Sequence, residues 1–311
     1  MRIQEQVLLK QHCTFRVGGP AKFFVEVTSL DELREAIGWA KKNQEKIFLL
    51  GGGSNVLFMD SGFSGLVIKL KNLGCELKGD FKIECQAGEL LGGLVRKSLE
   101  VGCSGMEWAA GIPGTIGGAI RGNAGAFGKE IKDVVILVEA FKIVGDHLEV
   151  QKYTTKECKF DYRNSLFKET EDLIIWRAEF KLEPGNKEDS LREVREILNR
   201  RKNSHPAGAM SAGSMFKNPL APKKVVKLFE EDKQTISRGG KVPAGWLIEQ
   251  CNLKGKRIGG AEVSQQQANF IVNTGNATSE EIMILLSLIK TKARNQFGVK
   301  LEEEVQIVHS E

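Results

Sequence analysis

The chain of 311 residues is short of several things at once, and each shortage removes a class of function. Its four histidines and six cysteines (Cys13, Cys75, Cys85, Cys103, Cys158, Cys251) are dispersed and contain no CxxC pair, so a zinc site has little to draw on and no metal is expected. Six reduced, mostly buried thiols are the expectation. Two tyrosines and four tryptophans offer few platforms for stacking bases. The net charge of +5 comes from Lys and Arg scattered among Asp and Glu, with no basic stripe, so nucleic acid is not an expected partner. No apolar run approaches the roughly 18–20 residues a membrane span needs. The start, MRIQEQVLLKQHC, lacks the basic flank and long apolar stretch of a secretory leader. No membrane association and a cytoplasmic location are expected.

What is present reads as a soluble enzyme. Hydrophobic residues make up 41% and charged residues 27%, and the length suits two or three modest domains. Ser29-Leu-Asp-Glu32 is a capping-box pattern, with Leu30, Leu33, Ile37 and Ala40 at helical spacing behind it. Ile47–Leu50 reads as a buried strand that leads into Gly51-Gly-Gly-Ser-Asn55. Beyond residue 70 the pattern is strand-rich, with one helix near Leu90–Val101, sheet members at Val134–Val138 and Leu173–Leu182, and a helix over Asp189–Lys202 that shows Leu191, Val194 and Leu198 on one face. A helix opened by Pro222 and a long one capped by Thr278-Ser-Glu-Glu281 and stopped before Gly298 follow. Leu301–Ser310 has strand character, with Val305 and Ile307 on one face and Glu304 and Gln306 on the other. The expected class is α+β, divided as 1–70 (with the terminal strand 301–311), 71–203 and 204–300.

Two loops carry the chemical signal. Gly51-Gly52-Gly53-Ser54-Asn55 follows a strand, and glycine lets backbone N–H groups approach an anion closely. The second runs Ala110-Gly-Ile-Pro-Gly-Thr-Ile-Gly-Gly-Ala-Ile120 and extends through Gly122-Asn-Ala-Gly125, with six glycines in fifteen residues. One glycine-rich loop is more often a tight turn; two, each after an ordered element, point to a diphosphate. The spacing Gly111, Gly114, Gly117 is GxxGxxG, which is not the GxGxxG of a Rossmann site, so a dinucleotide would be held differently.

The motifs HCTFRVGGPA (12–21), GGGSN (51–55), GIPGTIGGA (111–119), YRNSLFK (162–168), GSMFKNP (213–219), AGWLIEQCNLKG (244–255) and LEEEV (301–305) stand in an order that resembles the UDP-N-acetylenolpyruvoylglucosamine reductase family, over nearly the whole chain. The resemblance implies a flavoprotein fold of the vanillyl-alcohol-oxidase-like (PCMH) type with a third, substrate-binding domain. It implies FAD, NADPH as co-substrate, and UDP-N-acetylglucosamine enolpyruvate as the molecule reduced in peptidoglycan precursor synthesis. Neither glycine loop contains His, so the FAD is expected to be non-covalent. No long insertion separates Arg163 from the helix near 190, as in the shorter of the family's two subtypes. A monomer is expected.

By that resemblance, Ser214 matches the proton donor, Arg163 the group that polarises the substrate carboxylate, and Glu304 the catalytic glutamate, chosen over its neighbours Glu302 and Glu303 because it precedes Val305. Gly51, Gly52, Gly53, Ser54, Asn55, Gly111, Ile112, Pro113, Thr115, Gly117 and Gly118 match the flavin loops. Lys217, Asn218, Lys254 and Gln267 match positions near the nucleotide-sugar, with Tyr162 either against flavin or nicotinamide or in the core. Lys217 is also the sequence-local cation that could assist Ser214. Gln306 replaces a basic residue common in the family, and Gln267 a histidine common in the shorter subtype. Two rivals stay open: another flavoenzyme of the same fold, with no reason to carry GSMFKNP and LEEEV, and a flavin-free nucleotide-sugar binding protein.

Overall fold

A computed structural model describes every residue except Asp146, Ala207 and Glu311. The chain forms two compact units. The first holds Met1–Val7, Ala21–Gly52 and Ser64–Arg201; the second holds Leu8–Pro20, Gly53–Phe63 and Lys202–Glu311. The expected division at 71–203 and 204–300 is finer than these two units.

In the first unit a four-stranded sheet runs in the order Gln4–Leu8, Pro20–Val27, Phe63–Leu70, Ile47–Leu50. The last pair is parallel, Ile47 opposite Leu66 through Leu50 opposite Lys69, so the strand ends by delivering the chain into Gly51. The helix Leu30–Lys42 is covered on the face made by Leu33, Ala36, Ile37 and Ala40. Ser29 caps it by accepting from the Glu32 N–H, a contact worth about 1 kcal/mol. The second half of the expected capping box is different: Glu32 reaches back to the N–H and hydroxyl of Thr28, at 2.7 and 2.8 Å, not to Ser29.

A second, five-stranded sheet is ordered His147–Thr154, Val135–Val144, Leu173–Lys181, Lys82–Gln86, Cys75–Leu77, and its four neighbouring pairs are antiparallel. Leu91–Glu100 and the short helix Ile116–Arg121 contribute Leu94, Ile116 and Ile120 to one continuous apolar core that also contains Val25, Ile37, Leu66, Phe180 and Ile197. The helix Lys187–Ser204 buries Ser190 and Ile197, while Leu198 is 44% exposed, so its inward face is turned from the expected one. Apolar spacing could not show this, because a serine holds one of the inward positions.

The expectation of six free thiols fails at one pair: Cys75 and Cys85 form a disulfide. They stand directly opposite in the antiparallel register. Hydrogen bonds at Gln86 N to Gly74 O and Lys78 N to Lys82 O make 75/85 a non-hydrogen-bonded pair, where Cα atoms approach most closely, here 4.2 Å. Strand register created the pair, and no local spacing announced it. Cys13, Cys103, Cys158 and Cys251 are free and buried, and burial pushes the Cys158 thiol up to about 12.

In the second unit Val56–Phe58 pairs in parallel with Gln306–Val308, and Arg257–Ile258, Ala261–Val263 and Ile271–Asn273 make a small antiparallel sheet. The strand expected over Leu301–Ser310 is thus ladder-paired only at 306–308, and Val305 is buried. The helix Ser279–Phe297 has both halves of its Thr278/Glu281 capping box and ends on Gly298 at φ +66°. Asp60 ties that helix to the 53–63 segment by accepting from the N–H and hydroxyl of Ser279, at 2.7 and 2.9 Å. Among the described residues no helix is long and apolar enough to cross a membrane.

Candidate active site

The two glycine loops meet. A Cβ on Gly51 would lie 2.5 Å from Thr115 Oγ1, and one on Gly52 would lie 2.9 Å from the Gly114 Cα. Any side chain at either position would push the loops apart. Neither loop contains Asp or Glu, which suits an anion. Thr115 caps the helix Ile116–Arg121 by accepting from Gly118 N–H at 3.4 Å. The N–H groups of Ile116 and Gly117 are committed to the carbonyls of Glu89 and Ala87. The loop ahead of this helix carries Gly111 (φ +75°), Ile112, Pro113 and Thr115. Gly117 instead packs against Ala87, whose Cβ would stand 3.2 Å from its own, while Gly118 is exposed.

Arg163 is also in the first unit. Asp161 and Asn164 exchange both backbone hydrogen bonds, each 3.1 Å, so Tyr162 and Arg163 are the two residues of a tight turn. Arg163 sits at φ +57°, a left-handed conformation that costs a side-chain-bearing residue about 1–3 kcal/mol and survives only where the surroundings enforce it. Its guanidinium donates to the Gly125 carbonyl at 3.1 Å and lies 5.4 Å from the Tyr162 ring centroid. Tyr162 is therefore half-buried beside the arginine and outside the core.

In the second unit the motif over residues 12–19 holds the rest of the first loop. Gly53, at φ +65°, passes so close to His12 and Cys13 that a Cβ would lie 2.3 Å from the His12 carbonyl. Thr14 donates its N–H to Gly53 O at 3.0 Å and its hydroxyl to Ser211 O at 2.7 Å, joining GGGSN to the segment that carries Ser214. Asn55 donates to Glu304 O at 3.1 Å, and Ser54 is half-buried between them in sequence.

Ser214 and Glu304 are on neighbouring chain segments. Glu304 N–H donates to Met215 O at 2.8 Å, Phe216 bridges Glu303, and Lys217 N–H donates to Glu302 O at 2.9 Å. On the other side Ser214 bridges Phe270 and Met215 N–H donates to Asn269 O at 2.8 Å. Of the three successive glutamates, Glu302 faces Lys217 at 3.7 Å and Glu303 binds Lys290 at 2.7 Å.

A cleft of about 410 Å³ opens beside Ser214, lined also by Asn218, Trp246, Glu249, Gln267 and Asn269. Asn218 Oδ1 accepts from Ala244 N–H at 3.0 Å, at the start of the helix Ala244–Gln250. Gln267 Oε1 would be 2.5 Å from a Cβ on Gly245, so that glycine gives the amide its place. Lys254 is not on the wall but binds Glu249, which is, at 2.7 Å. Trp246 donates to Asp232 at 2.7 Å; that bond first, and Lys233 after it, holds the Asp232 carboxyl below the ordinary range. Thr14, Asn269, Trp246 and Glu249 were not singled out by sequence. AGWLIEQCNLKG contains two of them, but nothing in a Trp or Glu at helical spacing separates a cleft wall from a core face. Among the described residues no group of three His, Cys, Asp or Glu side chains could hold a metal ion.

The FAD binding domain family matches residues 21–151, and the UDP-N-acetylenolpyruvoylglucosamine reductase C-terminal domain family matches residues 205–308. The fold and these matches thus define an FAD-dependent oxidoreductase of the α+β class. The chain is 38% identical to the UDP-N-acetylenolpyruvoylglucosamine reductase of Carboxydothermus hydrogenoformans over 312 residues, covering 99% of this chain and 95% of that one. It is 37% identical to that of Caldanaerobacter subterraneus, covering 96% and 91%. The solved structure of the Thermus caldophilus enzyme of the same name superposes with a TM-score of 0.79 at 32% identity, over 99% and 100% of the two chains. This chain belongs to the UDP-N-acetylenolpyruvoylglucosamine reductase family.

Proposed function

We propose that this enzyme reduces UDP-N-acetylglucosamine enolpyruvate to UDP-N-acetylmuramate with NADPH, as a cytoplasmic monomer supplying peptidoglycan precursor synthesis. Its working parts are residues 1–70 with 301–311, 71–203 and 204–300, the last binding the sugar nucleotide. Bound FAD, non-covalent because neither loop offers a histidine, supplies the relay that carries a hydride from the nicotinamide to the vinyl carbon farther from the ether oxygen. Gly51–Asn55 and Gly111–Gly118 hold its diphosphate. Arg163 pairs its fork with the substrate carboxylate, onto which negative charge spreads as the hydride arrives. Ser214 gives its proton to the carbon bearing the ether oxygen. Glu304 is the carboxylate that acts beside it, while Tyr162, Lys217, Asn218, Lys254 and Gln267 position the substrate; no nucleic acid takes part. Gln306, two residues beyond Glu304, replaces a cation common in the family and is expected to alter the flavin's affinity or potential.

The observation that supports this most is the hydrogen bond from Glu304 N–H to Met215 O, which sets the Glu304 segment beside the one that carries Ser214. An anaerobic titration tests it. One equivalent of NADPH should bleach the yellow protein, and one equivalent of the enolpyruvyl sugar should restore the colour. Steady-state kinetics should be ping-pong, with inhibition by excess sugar. Protein without flavin after purification, or reduced flavin that the sugar leaves bleached, would refute the assignment.

A further inference from the structure

The segment that extends the second glycine loop, Arg121 to Gly125, grips the Arg163 turn at three points. Ser165 donates its hydroxyl to Arg121 O at 2.8 Å, Asn123 donates to Asp161 O at 3.0 Å, and Arg163 donates to Gly125 O at 3.1 Å. Asn123 is the central tie. It is fully buried, at φ +41°, a conformation in which asparagine is enriched among side-chain-bearing residues. Its amide nitrogen donates to both Asp161 O and Glu130 Oε2 at 3.0 Å, and its amide oxygen accepts from Lys132 N–H at 3.1 Å. Both donors and one acceptor position of the side chain are therefore used in one place.

We propose that Asn123 is a positioning residue that sets the Arg163 fork for the substrate carboxylate, coupling the flavin loop's extension to the arginine turn. Asp161 O, which Asn123 holds, is also the acceptor of the turn's own bond from Asn164 N–H. Releasing it frees one end of a two-residue turn whose second residue is held in an unfavourable backbone conformation. The turn then relaxes, and the guanidinium moves off its line. A displacement on the order of 1 Å at an orienting group can cost roughly 10²-fold. The proposal rests on Arg163 being the carboxylate's partner.

The test compares two ligands of the flavin-loaded enzyme: UDP-N-acetylglucosamine, which lacks the carboxylate, and its enolpyruvyl ether, which has it. Binding is read from the shift each produces in the flavin spectrum. Asn123→Ala and Asn123→Asp should keep flavin, bind UDP-N-acetylglucosamine as the parent does, and bleach with NADPH at a near-parental rate. Affinity for the enolpyruvyl ether, and the rate at which it reoxidises the flavin, should fall roughly 10²-fold. Asn123→Gln, which keeps an amide one methylene out of place, should fall between. Equal weakening of both ligands, or parental behaviour with both, overturns the proposal. Arg163→Lys is run beside them: if it too leaves carboxylate selectivity intact, the role given to Arg163 fails, whereas selectivity lost in Arg163→Lys and kept in the Asn123 variants sinks the coupling alone. Should the Asn123 variants lose flavin, Ser165→Ala carries the decision. It cuts a separate tie and should show the same selectivity loss, smaller; no loss there overturns the coupling.

Discussion

The Arg163 turn and the Ser214 segment are held in place by different means. Arg163 stands in a two-residue turn at a left-handed φ, closed by the Asp161–Asn164 backbone pair and tied to residues 121–125 by side chains, those of Asn123 and Ser165 together with its own. Ser214 begins an extended segment whose backbone is bonded on both flanks, to Asn269 on one side and to Glu302 and Glu304 on the other. The first arrangement can be released by one substitution at a distance. The second cannot be disturbed by changing Ser214 itself, because the serine hydroxyl is not what holds the segment.

The largest effect outside Ser214 is expected at Glu304. Glu304→Gln keeps the backbone bonds to Met215 and Asn55 and removes only the carboxylate's charge, so folding and flavin should persist while turnover falls roughly 10²-fold or more. If Glu303→Gln did this and Glu304→Gln did not, the register would be wrong. Next is Asn269→Ala, which sharpens the contrast by attacking the backbone-held segment through its one essential side chain. Asn269 bonds both the N–H and the C=O of buried Phe216, at 3.1 and 2.8 Å. Its loss leaves buried groups unpaired and should cost about 1–3 kcal/mol in urea unfolding, with turnover falling as well. A stable Asn269→Ala would mean the flanking ladder suffices alone.

Glu303→Gln weakens the half-exposed pair with Lys290 and should cost no more than about 1 kcal/mol, with turnover kept. The smallest effect is pH-dependent. Asp232 is held below its ordinary value chiefly by the Trp246 indole N–H. A lowered folded-state pKa gives stability that is complete above the unfolded value of about 3.9 and is lost as pH falls through the folded one. The part of the stability gap between parent and Trp246→Phe that stems from this bond should therefore hold steady near neutrality and shrink below about pH 4. A gap unchanged by acid would show that Trp246 contributes through packing only.

Where a residue's reason is local, the sequence displayed it. Thr278 with Glu281, the stop at Gly298 and the strand into Gly51 all depend on neighbours within a turn or two, and all formed as read. Where the reason is a distant partner, it did not. Nothing near Cys75 shows that strand register will set Cys85 opposite it. The glycine loops were visible as loops, yet only tertiary contact separates Gly51, needed against Thr115, from Gly117, needed against Ala87. Asn123 was visible only as part of the loop extension GNAG, because its bond to Asp161 O spans 38 residues.

The most direct measurement is Ser214→Ala followed through both half-reactions by anaerobic stopped flow. The substitution removes one oxygen from a segment fixed by its backbone, so thermal stability and flavin content should match the parent. Hydride transfer from NADPH requires no proton on a substrate carbon, and bleaching should proceed at a near-parental rate. Reoxidation by the enolpyruvyl sugar does require that proton, and should slow by roughly 10²–10⁴-fold, with Ser214→Cys recovering part of the loss. Equal slowing of both half-reactions would make Ser214 a binding or packing residue, and parental rates in both would remove it from the chemistry.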